Sequence, residues 1–102
     1  MSVAVVFSAQ AEADLDRLTD FLAETDVSLA QETAEIIFEA VLILERHPAI
    51  GRRSAGGLRE LVISRGRSGY IALYRERPTE QRIDILAIRH QREAGYGGTR
   101  EP

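Results

Sequence analysis

The 102-residue chain has no cysteine, no lysine and no tryptophan. Without cysteine there is no disulfide framework, no thiolate nucleophile and no sulfur ligand for zinc, so a reducing, intracellular compartment is the plain expectation. Histidine is nearly absent too: His47 and His90 stand apart, with no carboxylate at ligand spacing, and no metal site is expected. Gly51, Gly56 and Gly57 match neither a P-loop nor a G-x-G-x-x-G turn. Long hydrophobic runs are missing. The longest are five residues, as in Ala40-Val41-Leu42-Ile43-Leu44, far too short to cross a bilayer, and the first residues lack the basic flank and long apolar stretch of a secretory signal. The expectation is a soluble, cytoplasmic protein with no membrane partner.

The composition is that of a folded globule, with 44% hydrophobic residues in a length suited to one domain. Charge is divided along the chain. Residues 1–45 hold ten acids against the single Arg17, and residues 46–102 hold twelve arginines against six acids. An acidic first half is thus joined to an arginine-rich second half, which suits an anionic partner. The net charge of −3 is nevertheless poor for a protein that lives on phosphate contacts.

Val3 to Phe7 reads as a short strand. Ser8 is placed to cap a helix over 9–24, in which Ala11, Leu15, Leu18 and Leu22 form one apolar stripe. Thr25-Asp26-Val27 makes a tight turn, and Ser28 is expected to cap a second helix running to about Arg46. The short connection implies an antiparallel helical hairpin. On the second helix Leu29, Thr33, Ile36, Ile37, Ala40, Val41, Ile43 and Leu44 make a wide apolar face. Phe38 and Leu42 fall outside it, among polar residues, where they either cover a neighbouring element or meet a partner. His47-Pro48 ends the helix, and residues 49–57 read as a loop. Strands are expected at 58–64, 70–76 and 82–90, the first turn using Gly66 and Gly69, the second Pro78, Thr79 and Glu80. Past Tyr96 the chain is polar and Gly-rich, as in a mobile tail.

The chemistry-bearing residues gather on or beside these strands: Arg59, Arg65, Arg67, Arg75, Arg89, His90, Arg92 and Tyr96. A guanidinium binds phosphate or carboxylate in two-pronged fashion. A histidine and a tyrosine near such arginines are also the parts of a metal-free RNA-cleaving site, in which proton transfer and charge stabilisation are divided among them. Arginines at strand ends also serve as solvated groups or as partners for acids such as Glu60, Glu76 and Asp84.

Val6-Phe7-Ser8 with Ala11 through Leu15, Leu44-x-x-His47-Pro48-x-x-Gly51-Arg52, Leu58-Arg59-Glu60-Leu61, Ser68-Gly69-Tyr70-x-x-x-Tyr74-Arg75 and Ile83-x-Ile85-Leu86-x-Ile88-x-His90 follow one another in order. Together they resemble the RelE/ParE superfamily of toxins from bacterial type II toxin–antitoxin modules, the plasmid-stabilisation systems. The resemblance implies an α+β fold in the order β-α-α-β-β-β, a helical hairpin packed on an antiparallel sheet. A single domain would span 1–96, with 97–102 a flexible tail.

The superfamily's two branches differ in chemistry. RelE-like members cut messenger RNA on the ribosome and are strongly basic; ParE-like members are described as poisons of DNA gyrase. Here Val62 and Ser64 stand where the RNase branch places lysines, and Ile71 stands where it places an arginine after Gly-Tyr. An aliphatic side chain cannot stabilise a phosphorane, and losing one such donor costs on the order of 10²–10³ in rate. The resemblance therefore favours the ParE-like branch: no cofactor, no favoured catalytic residue, and a cognate antitoxin as partner. The target surface would include Arg59, Arg65, Arg67, Arg75, Arg89, His90, Arg92 and Tyr96, and antitoxin would meet Phe38 and Leu42. Under the RelE-like alternative, with ribosome and mRNA as partners, His90 and Tyr96 would transfer protons while Arg89 and Arg92 stabilised charge. A third reading is a decayed toxin kept for binding its antitoxin.

Overall fold

A computed structural model describes residues 3–65 and 68–93, with backbone alone at 64, 65 and 68. Strand β1 (Ala4–Phe7) leads into helix α1 (Ala9–Ala23) and helix α2 (Val27–Leu42), followed by a 3₁₀ turn at Ile43–Glu45. Strands β2 (Arg52–Arg53), β3 (Arg59–Arg65), β4 (Ser68–Arg77) and β5 (Arg82–His90) complete one sheet in the order β1-β5-β4-β3-β2. The α+β order and the three-strand meander match expectation.

Two helix starts differ in kind. Ser8 caps α1 as expected, its Oγ accepting from the Ala11 N–H at 3.0 Å. Ser28 does not cap α2. That role belongs to Asp26, whose extended backbone (φ −157°) aims the carboxylate at the Leu29 N–H, 3.0 Å away. A carboxylate at the N-cap also meets the positive end of the helix dipole, which an uncharged hydroxyl two residues later would not. At the other end the α-helix stops at Leu42 and tightens to 3₁₀ before His47-Pro48, so Ile43 is exposed, outside the apolar face.

The sheet is mixed rather than wholly antiparallel. β1 lies parallel to β5, with Ala4 opposite Arg82 and Phe7 opposite Ile85. The helical hairpin accounts for this. It returns the chain to the end of the sheet where β1 began, and the Val3 N–H donates to the Glu45 carbonyl at 3.0 Å. β3 therefore sets out in the direction of β1, and two reversals leave β5 parallel to it. The 49–57 loop also contains the two-residue β2, paired antiparallel to β3. Gly69, expected in a turn, lies within β4 opposite Ser64. A Cβ there would collide with the Gln91 side chain, whose residue donates its N–H to the Gly69 carbonyl at 2.9 Å.

The core fills the space between the helices and one face of the sheet. Leu15 and Leu18 of α1 and Ile37 and Val41 of α2 meet Ile63, Tyr74, Ile85 and Ile88. Each such side chain taken fully from water contributes about 1.5–3 kcal/mol. Because strand side chains alternate, Arg75 and Arg77 of β4 and Asp84 of β5 fall on the opposite face, away from the helices. β5 is bulged, with a register shift at Leu73/Tyr74, and β1 accompanies only its first half. Over the second half α1 replaces the missing strand: Ser8 Oγ donates to the Leu86 carbonyl at 3.1 Å, and Asp14 accepts the Ile88 N–H. Among the described residues no helix is long and apolar enough to cross a membrane.

Candidate interaction surfaces

At the end of β5 the chain turns through 89–93, and three of its side chains, Arg89, His90 and Glu93, hold the turn. Arg89 donates from one nitrogen to the carbonyls of His90, Gln91 and Glu93, the last at 3.0 Å. Glu93 accepts the His90 N–H at 2.8 Å and an ion pair from Arg17 at 2.8 Å, tying the turn to α1. His90 Nδ1 accepts the Arg92 N–H at 3.1 Å, so neutral His90 carries its ring proton on Nε2. The imidazole meets Tyr70 edge-on, 5.2 Å between centroids. The Arg92 side chain is exposed. Thus Arg89, His90 and Arg92 do come together, but Arg89 serves as a brace for the turn.

Arg59 lies at the other end of the β3–β4 pairing. It bonds Glu76 at 2.9 Å and the Gly51 carbonyl at 2.9 Å. Both contacts fix the strand-to-loop junction, so Arg59 is part of the scaffold. Beneath it Tyr74, fully buried, donates to the Pro48 carbonyl at 2.8 Å and accepts the Gly51 N–H at 2.9 Å. Burial is the main cause that raises the Tyr74 hydroxyl above the ordinary value of 10.0.

On the sheet face away from the helices Arg75 is exposed and makes no ion pair among the described residues. Beside it Arg77 and Arg82 converge on Asp84, Arg82 at 2.8 Å. Hydrogen bonds from Arg82 and then Arg77 hold the Asp84 carboxyl below the ordinary 3.8. Two cations share one anion, so this end of the sheet keeps a positive excess around a shallow groove lined by Val6, Ser8, Arg82, Asp84 and Leu86. Arg77 and Arg82 were absent from the sequence-derived set. Arg82 and Asp84, two apart on one strand, share a face and could have been paired from the sequence. Arg77 needed the register. For Arg65 only backbone is described, and Arg67 and Tyr96 lie outside the described residues. Among those residues no group of three or more His, Asp or Glu side chains is placed to hold a metal.

The second surface is on α2. Phe38 is 45% and Leu42 51% exposed, and one turn separates them on the same side of the helix. The Phe38 ring is tilted against Phe7 of β1, 5.2 Å between centroids. Phe38 therefore covers the rim of the first strand and still presents half of itself outward.

Residues 5–95 match the family model described as ParE toxin of type II toxin–antitoxin system, parDE. The chain belongs to this family. It is 33% identical over 89 residues, 87% of this chain and 95% of the relative, to Toxin RelE3 of Caulobacter vibrioides. Among solved structures it is similar to the chromosomal ParDE toxin–antitoxin system from P. aeruginosa. That match has a TM-score of 0.73 and 26% identity, covering 85% of this chain and 94% of the other. The fold is also that of the toxin–antitoxin complex RelBE2 from Mycobacterium tuberculosis, with a TM-score of 0.55 and 23% identity over 89% and 93% of the two chains. The ParE-family assignment makes the protein a toxin of a type II toxin–antitoxin module.

Proposed function

We propose that this ParE-family toxin arrests growth by binding DNA gyrase, without itself cutting a covalent bond, and that a cognate antitoxin neutralises it. The observation that carries the reading is Ile71. At the position where the RNA-cleaving branch carries an arginine after Gly-Tyr, this chain has an aliphatic side chain only 4% exposed. The committed roles of Arg59 and Arg89 support the same reading, since each already bonds carbonyls of its own chain. Among the described residues Arg75 and Arg92 are exposed and open to a target, with the groove lined by Arg82 and Asp84 on the same face as Arg75. Antitoxin would occupy the Phe38–Leu42 side of α2.

The test is gyrase supercoiling of relaxed plasmid with ATP. Added toxin should inhibit supercoiling or trap cleaved DNA; full gyrase activity in toxin excess would overturn the reading. A second reading, ribosome-dependent mRNA cleavage with His90 and Tyr96 as proton-transfer groups, draws on the proximity of Arg89, His90 and Arg92 in one turn. Primer extension during brief induction separates the two, because only a nuclease leaves codon-positioned 5′ ends.

A further inference from the structure

The helix that presents Phe38 and Leu42 has an unusual charge pattern. From Val27 to Leu42 it holds no basic residue, while Glu32, Glu35 and Glu39 follow one another at helical spacing on its exposed side. Like charges three and four residues apart destabilise a helix by a few tenths of a kcal/mol each. Glu39, in the last turn, also faces the negative end of the helix dipole. Among the described residues Arg17, the one cation of α1, is engaged with Glu93, and Arg46 forms no ion pair. Among the described residues Glu35 and Glu39 meet no cation. The free protein thus keeps a locally unfavourable acidic edge directly beside two half-exposed apolar side chains, and such local conflicts concentrate where function demands them.

From this we infer, resting on the antitoxin reading above, that the segment covering α2 is a cationic amphipathic one. Its apolar side chains would seat on Phe38 and Leu42, and its Arg or Lys residues would flank them to meet Glu35 and Glu39. The complementarity is specific to this face, because the sheet side of the same molecule carries the opposite charge. An acidic segment would be repelled here and drawn to the arginines instead.

The probes are the product of the small reading frame adjacent to the toxin gene and two synthetic helical peptides of ~20 residues. The peptides share one Leu/Phe stripe, flanked by Lys and Arg in one and by Glu in the other. The proteins are wild type, Glu35→Gln/Glu39→Gln and Phe38→Ala/Leu42→Ala, each checked for folding by thermal melting. The basic peptide should bind wild type and the acidic one should not. Glu35→Gln/Glu39→Gln should weaken both the antitoxin and the basic peptide at least tenfold at low salt and flatten their salt dependence. Phe38→Ala/Leu42→Ala should remove peptide binding. Antitoxin that binds wild type and Glu35→Gln/Glu39→Gln equally overturns this inference and leaves the toxin–antitoxin reading standing. An adjacent-frame product that does not bind wild type at all overturns that reading and this inference with it.

Discussion

Asp14 of α1 and Ile88 of β5, 74 residues apart in sequence, are joined by a 2.9 Å bond from the Ile88 N–H to the Asp14 carboxylate. Asp14 is 1% exposed, and its other oxygen accepts from Gln10 at 2.9 Å. The carboxylate stands in for a strand that the sheet lacks at this point. It keeps a buried amide satisfied where β1 has already ended.

Removing that acceptor should be costly. Asp14→Ala leaves the Ile88 N–H buried and unpaired, with an expected loss of about 1–3 kcal/mol. Asp14→Asn, which keeps a carbonyl oxygen, should lose less. Urea unfolding gives the order of the two variants, and hydrogen exchange at Ile88 locates the effect. Equal stability of Asp14→Ala and wild type would contradict this role.

Tyr74 and Gly51 form a second joint. Tyr74→Phe removes the bonds to Pro48 and Gly51 and should cost about 1–3 kcal/mol. A Cβ on Gly51 would lie 2.6 Å from the Tyr74 hydroxyl and 2.8 Å from the Glu60 carbonyl. Gly51→Ala should therefore destabilise as well, by about 1–3 kcal/mol for an overpacked site. Tyr74→Phe should not rescue it, because the ring carbon Cε1 and the Glu60 backbone both remain in the way. Chemical denaturation of the two single variants and the double variant checks this.

Asp84 sets an acid dependence with a definite sign. Its folded value is depressed by Arg82 and Arg77, so the interaction is complete above the unfolded value and lost as pH falls through the folded one. Wild-type stability should drop below about pH 4 more steeply than that of Asp84→Asn. Urea midpoints measured from neutral to acid pH should therefore converge. Curves that stay parallel would show that the pair contributes nothing.

Among the arginines, exposure separates scaffold from surface. Arg75→Ala and Arg92→Ala remove exposed side chains and should alter stability by no more than about 0.5 kcal/mol while weakening growth arrest. Arg59→Ala should instead destabilise by about 1–3 kcal/mol through loss of its charge-assisted bonds. Melting temperatures measured beside induced-growth curves distinguish the two classes. Full toxicity of the Arg75→Ala/Arg92→Ala double variant would remove these residues from the target surface.

Much of the architecture was legible locally. The 3.6-residue stripe of Ala11, Leu15 and Leu18, the Ser8 cap and the alternation of Ile83 and Ile85 each depend on near neighbours and survive in the structure, although Leu22, the last of the stripe, is only partly buried. Features created by distant pairing were not legible. The parallel partner of β1, the Asp14–Ile88 bond and the Arg17–Glu93 pair join elements whose separation leaves no periodic trace, while β2, at two residues, is too short to show alternation. The same limit governs the candidate site. Arginine content identified the sheet as the cationic half, but only the register shows that Arg59 and Arg89 brace their own backbone while Arg75 stays open to solvent. The Asp26 cap was missed for a smaller reason: two good capping residues lie two apart, and side-chain reach chose the first.

The pairing of the first strand with the fifth also bears on synthesis. Ser8 meets the Leu86 carbonyl across 78 residues, so the opening strand waits for the closing one to emerge before either can be buried. A nascent chain stalled in the meander therefore has no finished core and offers exposed strand edges in place of the completed toxin fold. The fold is complete only with that last hydrogen-bonded rung.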